Sequence, residues 1–215
     1  MKRFLFLVVL TFIITNLAYA QFSFHLIDNF EDANFTRDPK WWRFGDVKTE
    51  IVKNPETTAR DLITESCGDY SLRLSGKTND WYIGGMGTDL GVDAARFSRF
   101  QIDISGNKKF QGKLIVEFFD DDNQNYQIEQ DPQKNYEAIY DDKWVAEILV
   151  QGDGFTRTSI PFTAFKDANP GVGDDIWNPD QDDASGGLLK MQLIVISGDQ
   201  AGQADFKIDN LLLTY

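Results

Sequence analysis

The chain has 215 residues, 42% of them hydrophobic and 13% aromatic with 17 phenylalanines, which is enough apolar surface for a core and excludes a disordered chain. Its formal net charge of −13 becomes −15 once Lys2 and Arg3 are removed with the amino-terminal leader, and such a field repels phosphate backbones and anionic lipid, excluding nucleic acid and polybasic membrane docking. Taking 20 leader residues from 215 leaves 195, the size of one large domain, which excludes a multidomain enzyme.

Met1-Lys2-Arg3 is a cationic start, residues 4–14 are an uncharged apolar run, and Ala18-Tyr19-Ala20 is the small-x-small pattern that a signal peptidase accepts before Gln21. Residues 1–20 therefore read as a signal peptide and 21–215 as a single domain; the apolar run is short for a membrane span of about 20 residues. The first predicted strands are 26–30 and 49–53. Cys67 stands alone, so no intramolecular disulfide forms, and it lies too far along the chain to carry a lipoprotein's lipid. Strands 71–75 and 100–104 alternate with period two and are closed by Gly76 and Gly106. Residues 113–119, 145–150, 156–162, 188–196 and 204–213 complete about nine or ten strands, the pattern of an all-β sandwich of two antiparallel sheets. Helix is confined to short stretches at 93–98 and 164–168. Two long polar tracts, 120–143 and 167–187, are the loops whose length points to function. Trp41-Trp42, beside Pro39, reads as core packing.

Nucleophilic catalysis is poorly supplied. His25 is the only histidine, and a triad or a histidine metal site would depend on it. Glu117, Asp120, Asp122, Glu129 and Glu147 lie near strand ends, where a carboxylate pair for glycoside hydrolysis could form, but among 34 acids such pairs arise by chance. Asp120-Asp121-Asp122-Asn123 departs from the helix-loop-helix calcium motif, with Asn125 where glycine belongs and Asp131 where glutamate belongs; it reads as a solvated acidic turn. Leu26-Ile27-Asp28-Asn29-Phe30-Glu31-Asp32 opens the domain and Phe206-Lys207-Ile208-Asp209-Asn210-Leu211 closes it. If the first and last strands are neighbours, carboxylates from both ends could meet on one ion.

These two segments, with Tyr70-Ser71-Leu72-Arg73-Leu74, Trp144 and Ile160-Pro161-Phe162-Thr163-Ala164-Phe165, resemble the carbohydrate-binding modules of the galactose-binding-like superfamily, most of all family eleven. The resemblance spans nearly all of the mature chain. It implies a jelly-roll β-sandwich that binds β-glucan in a cleft on one sheet, holds a structural Ca2+ and catalyses nothing. Glu31 and Asp209 are the side-chain calcium ligands it implies, with Asp28 or Asp69 and backbone carbonyls completing a shell of about six to eight oxygens. Lys166 follows Phe165 where the family tends to carry arginine, Gln192 falls near a family histidine, and Val195 replaces a ring-stacking tyrosine. Trp81, Tyr82, Tyr126, Tyr136, Tyr140 and Trp177 are the rings available instead, since aromatic faces stack on pyranoses while polar side chains take the hydroxyls.

The sequence thus predicts an exported, non-catalytic protein, secreted, periplasmic or at the cell surface, whose partner is a polysaccharide or glycan. The alternative is a structural or adhesive protein that self-assembles or binds other proteins; a small polysaccharide hydrolase or lyase comes third.

Overall fold

The structure, a computed structural model, describes residues 24–54, 68–106, 112–134, 136–198 and 202–215. The predicted signal peptide and Cys67 lie outside the described residues. Among the described residues are fourteen strands: β1 (His25–Asp28), β2 (Trp42–Gly45), β3 (Lys48–Lys53), β4 (Tyr70–Lys77), β5 (Tyr82–Val92), β6 (Arg99–Gly106), β7 (Gly112–Asp120), β8 (Gln130–Asp131), β9 (Glu137–Ala138), β10 (Lys143–Leu149), β11 (Gly154–Pro161), β12 (Lys166–Asp167), β13 (Leu188–Ser197) and β14 (Gln203–Thr214).

They build two six-stranded antiparallel sheets. One runs β11-β6-β14-β4-β3 with β1 also on β14, the other β12-β10-β7-β13-β5-β2, and β8 and β9 form a separate ribbon. This is the expected β-sandwich. Every predicted strand is present, but the count exceeds nine or ten because β2, β5 and the two-residue pieces β8, β9 and β12 carry no alternation that marks them. Neither predicted helix forms as an α-helix: residues 164–168 only overlap a 3-10 turn at Phe162–Ala164, and 93–98 is a turn in which the Phe97 N–H donates to the Ala94 carbonyl.

Alternation decides which side chains meet between the sheets. Leu72, Leu74, Phe100, Ile102, Phe206 and Ile208 from the first sheet join Met86, Leu114, Val116, Phe118, Met191 and Leu193 from the second in one buried cluster. Phe118 sits among Phe100 and Phe165, each at 5.4 Å between ring centroids. β13 lies between β5 and β7, and β14 between β4 and β6, so the two latest strands each complete the middle of a sheet. β1 pairs with β14 (His25 opposite Leu213), which makes the first and last strands neighbours.

Candidate functional site

The outer face of the second sheet carries a groove. Register aligns Trp42, Gly87, Gln192 and Glu117 in one row across β2, β5, β13 and β7, and Phe44, Gly85, Ile194 and Ile115 in another. Met86, Leu193 and Val116, one position along in each strand, are buried in the core, so these two rows face away from it. The glycines let the aromatic rings lie on bare backbone. A Cβ at Gly87 would stand 2.7 Å from the Trp42 ring, and one at Gly85 would stand 2.5 Å from the Phe44 ring.

Trp42, Phe44, Asp80, Trp81, Tyr82, Gln130, Tyr136 and Gln192 line a cavity of about 690 Å³ over this floor. Trp81 and Tyr82 meet edge to face at 6.0 Å, and the Trp81 carbonyl is held by the Ser197 N–H at 2.8 Å. Tyr136 is 65% exposed and Trp81 60%, so both rings offer free faces to a ligand. Gln130 Nε2 donates to the Tyr136 carbonyl at 2.8 Å, fixing the loop that brings both residues over the groove. Burial, with the nearby charges of Glu117 and Asp46, raises the Tyr82 phenol and keeps it protonated as a donor. Lys190 lies 5.7 Å from the ring centroids of both Trp42 and Phe119, and burial lowers its pKa.

Four of the predicted ligand residues, Trp81, Tyr82, Tyr136 and Gln192, therefore come together, while Tyr126, Tyr140, Lys166 and Trp177 do not line the cavity. Tyr126 rides on the acidic turn, where its N–H donates to Asp121 Oδ2 at 3.0 Å. Lys166 is on β12, at the opposite edge of the sheet from β2. Trp177 packs on Phe162 at 4.8 Å and edge-on to Trp144 at 5.7 Å, walling the core. Val195 is fully buried and faces the core, so the missing tyrosine at that position takes nothing from this groove. The reading of Trp41-Trp42 as core holds for Trp41, 2% exposed, and is corrected for Trp42, which the alternation of adjacent residues turns outward into the groove. Phe44, Asp80 and Gln130 also line the cavity without having been marked by any motif.

The acidic turn is not solvated. Asp120, Asp141 and Asp142 are 0% exposed and Asp121 is 4% exposed, because the second long loop folds back over them. Burial raises Asp120 to about 8, Asp141 and Asp142 to about 7 and Asp122 to about 6, and their mutual repulsion adds to the shift. Asp120, Asp122 and Asp142 bring oxygens within 4.8 Å of one another, as do Asp142, Asp167 and Asp175. Of the other carboxylates considered for hydrolysis, Glu147 pairs with Lys113 at 2.9 Å and Glu129 accepts from Asn123 and Asn125. Glu117 stands beside Gln192 on the sheet face, its carboxyl raised by burial.

At the chain ends, Glu31 accepts the N–H groups of Asp69 at 2.6 Å and Tyr70 at 3.0 Å, and buried Asp209 accepts the Asn210 N–H at 2.8 Å. Asp28 is committed to the Phe30 N–H and Trp41 Nε1, each at 2.7 Å. Glu31 and Asp209 are hard oxygen donors, the kind that calcium takes. Neither belongs to a converging carboxylate triad among the described residues, so backbone carbonyls would supply most of the shell.

No protein-family profile matches the chain, and no curated protein does either. Solved structures do. The family 11 carbohydrate-binding module of the cellulosomal cellulase Lic26A-Cel5E of Clostridium thermocellum aligns over 90% of this chain and 95% of its own, with a TM-score of 0.53 at 13% identity. A family 11 module from the same organism, in complex with a β-1,3-1,4-mixed-linked tetrasaccharide, aligns over 89% and 95%, also with a TM-score of 0.53 at 13% identity. The chain has the jelly-roll fold of these modules.

Proposed function

We propose that this protein is an exported, non-catalytic carbohydrate-binding protein that grips a polysaccharide in the groove of the second sheet. The observation that carries this reading is the union of Trp42, Trp81, Tyr82 and Tyr136 with Gln192, Gln130 and Asp80 around one open cavity. The rings stack on the apolar faces of successive pyranoses, and the amides, the carboxylate and the Tyr82 hydroxyl exchange hydrogen bonds with sugar hydroxyls. The fold shared with the module in complex with a β-1,3-1,4-mixed-linked tetrasaccharide supports testing β-linked polysaccharides first, beginning with the β-glucan that the sequence resemblance implies. A structural calcium at the joined ends, with Glu31 and Asp209 among its ligands, is part of the same proposal; what supports it is the pairing of β1 with β14.

Affinity electrophoresis of the purified protein through gels containing mixed-linked β-glucan, xylan or mannan tests the reading. Retardation is expected with at least one polymer, and uniform mobility across a broad panel overturns it. Trp81→Ala and Tyr136→Ala should each weaken the retarding interaction about tenfold, the loss of roughly one stacked ring. Trp177→Ala should destabilise the fold by about 3 kcal/mol and leave the sugar affinity of the folded fraction unchanged.

A further inference from the structure

We propose that Asp120, Asp122 and Asp142, with the side-chain oxygen of Asn178, form a divalent-cation site, suited to Ca2+, that pins the two long loops together and is separate from the chain-end site.

The carboxylate triad alone would not carry this; the unpaired atoms do. Asp142 is fully buried, yet its Oδ1 has no hydrogen-bond partner, and a carboxylate oxygen of Asp142 lies within 4.8 Å of one from Asp120 and one from Asp122. Asp122 Oδ1 and Asn178 Oδ1 are buried without a donor as well. A buried acceptor left unpaired costs about 1–3 kcal/mol, more when charged, so two of them on one carboxylate triad call for a cation.

The remaining oxygens are already held in position. Asp122 Oδ2 accepts the Asp142 N–H at 2.8 Å, and Asp142 Oδ2 accepts the Ile176 N–H at 3.2 Å. Asp120 accepts Trp144 Nε1 at 3.0 Å and the Asn178 N–H at 3.1 Å. Each carboxylate is thereby oriented by a hydrogen-bond donor, as ligands of a hard cation are. Gly173 closes over the cluster: a Cβ there would stand 2.2 Å from Asp122 Oδ2 and 2.5 Å from Asp142 Oδ1. None of the ion pairs among the described residues neutralises the triad, and the charges that act on Lys190 are those of Asp89 and Asp141, neither of them in the triad.

The ligands come from the end of β7, the start of β10 and the second long loop, so one ion ties three segments. The loop between β7 and β10 also carries Gln130 and Tyr136 into the groove. Removing the ion should therefore loosen that wall and weaken sugar binding, a consequence that rests on the groove being the glycan site.

The test uses the full chain, stripped with chelator and then given millimolar CaCl2. The wild-type melting temperature should rise by about 5–10 °C, as for an ion bound far above its Kd to the folded state only. Asp122→Asn and Asp142→Asn should each lose the share of that rise that Glu31→Gln, which touches only the chain-end site, retains, and in chelator both should melt at or above the wild type because a repelling charge is gone. An unchanged wild-type midpoint, or an equal rise in the Asp122→Asn and Asp142→Asn variants, overturns the site. Should those variants not fold, Tb3+ alone is the probe: its emission should be sensitised by the indoles of Trp144 and Trp177 in the wild type, and absence of sensitised emission overturns the proposal. If the calcium effect follows Asp142 but no polysaccharide retards the protein with or without calcium, the cation site stands and the glycan reading falls.

Discussion

His25 lies half-buried with its ring 6.5 Å from that of Phe97, and burial and the charge of Arg96 both lower its pKa from the usual value near 6.5. A neutral imidazole in the fold and an ordinary one in the unfolded chain mean that the unfolded chain takes up the proton first on acidification. Stability from this residue is therefore complete above the ordinary pKa and is lost as pH falls towards the lowered one. Because it is the only histidine, its proton resonances in an NMR titration need no assignment, and a midpoint at or above the ordinary value would contradict this environment. Trp41 shows the same dependence on local contact. Trp41→Phe would keep an aromatic ring but leave a void and strip a buried Asp28 oxygen of its donor, lowering unfolding free energy in urea by at least about 1–3 kcal/mol. Neighbouring Trp42 has the opposite fate because one step along a strand changes the face. The sequence shows two adjacent tryptophans; only the pairing of Trp42 with Gly87 tells which of them meets solvent.

β5 is where local pattern and tertiary structure diverge most. With Gly84, Gly85, Gly87 and Gly91 among its eleven residues it lacks strand propensity, and it is held extended by β13 on one side and β2 on the other. The glycines that hide the strand from the sequence also set the depth of the groove. Gly87→Ala should push the Trp42 ring off the floor, costing little stability because that ring is partly exposed and free to move, while reducing polysaccharide retardation several-fold. Equal retardation in the variant and the wild type would show that Trp42 is not part of the binding surface. The strands that were legible, such as β4 and β6, alternate cleanly because each has one face on the core and one towards water.

Across the whole molecule, the core depends on a few large side chains shared between sheets, and Phe118→Ala should cost about 3–5 kcal/mol in a denaturant titration. The sandwich was readable because the clean period-two alternation of β4 and β6 stood among seven further short strand-like segments spaced by turns. The groove and the acid cluster were not, since Trp42 and Gln192, or Asp120 and Asn178, become neighbours only when the sheets and loops close. Four of the expected ring and amide residues were nonetheless among those that meet, picked out by residue type rather than by contact. The middle positions of β13 and β14 have a further consequence for the order of assembly. β5 and β7 share no pairing without β13, nor β4 and β6 without β14, so a chain that ends before Leu188 is two pairs of half-sheets with open edges facing each other. Such edges recruit other chains, and the long-range pairings that close them are slow to form. A partly made molecule is thus most exposed to aggregation until β13 and β14 arrive, and closure of both sheets waits on these two strands rather than on the early ones.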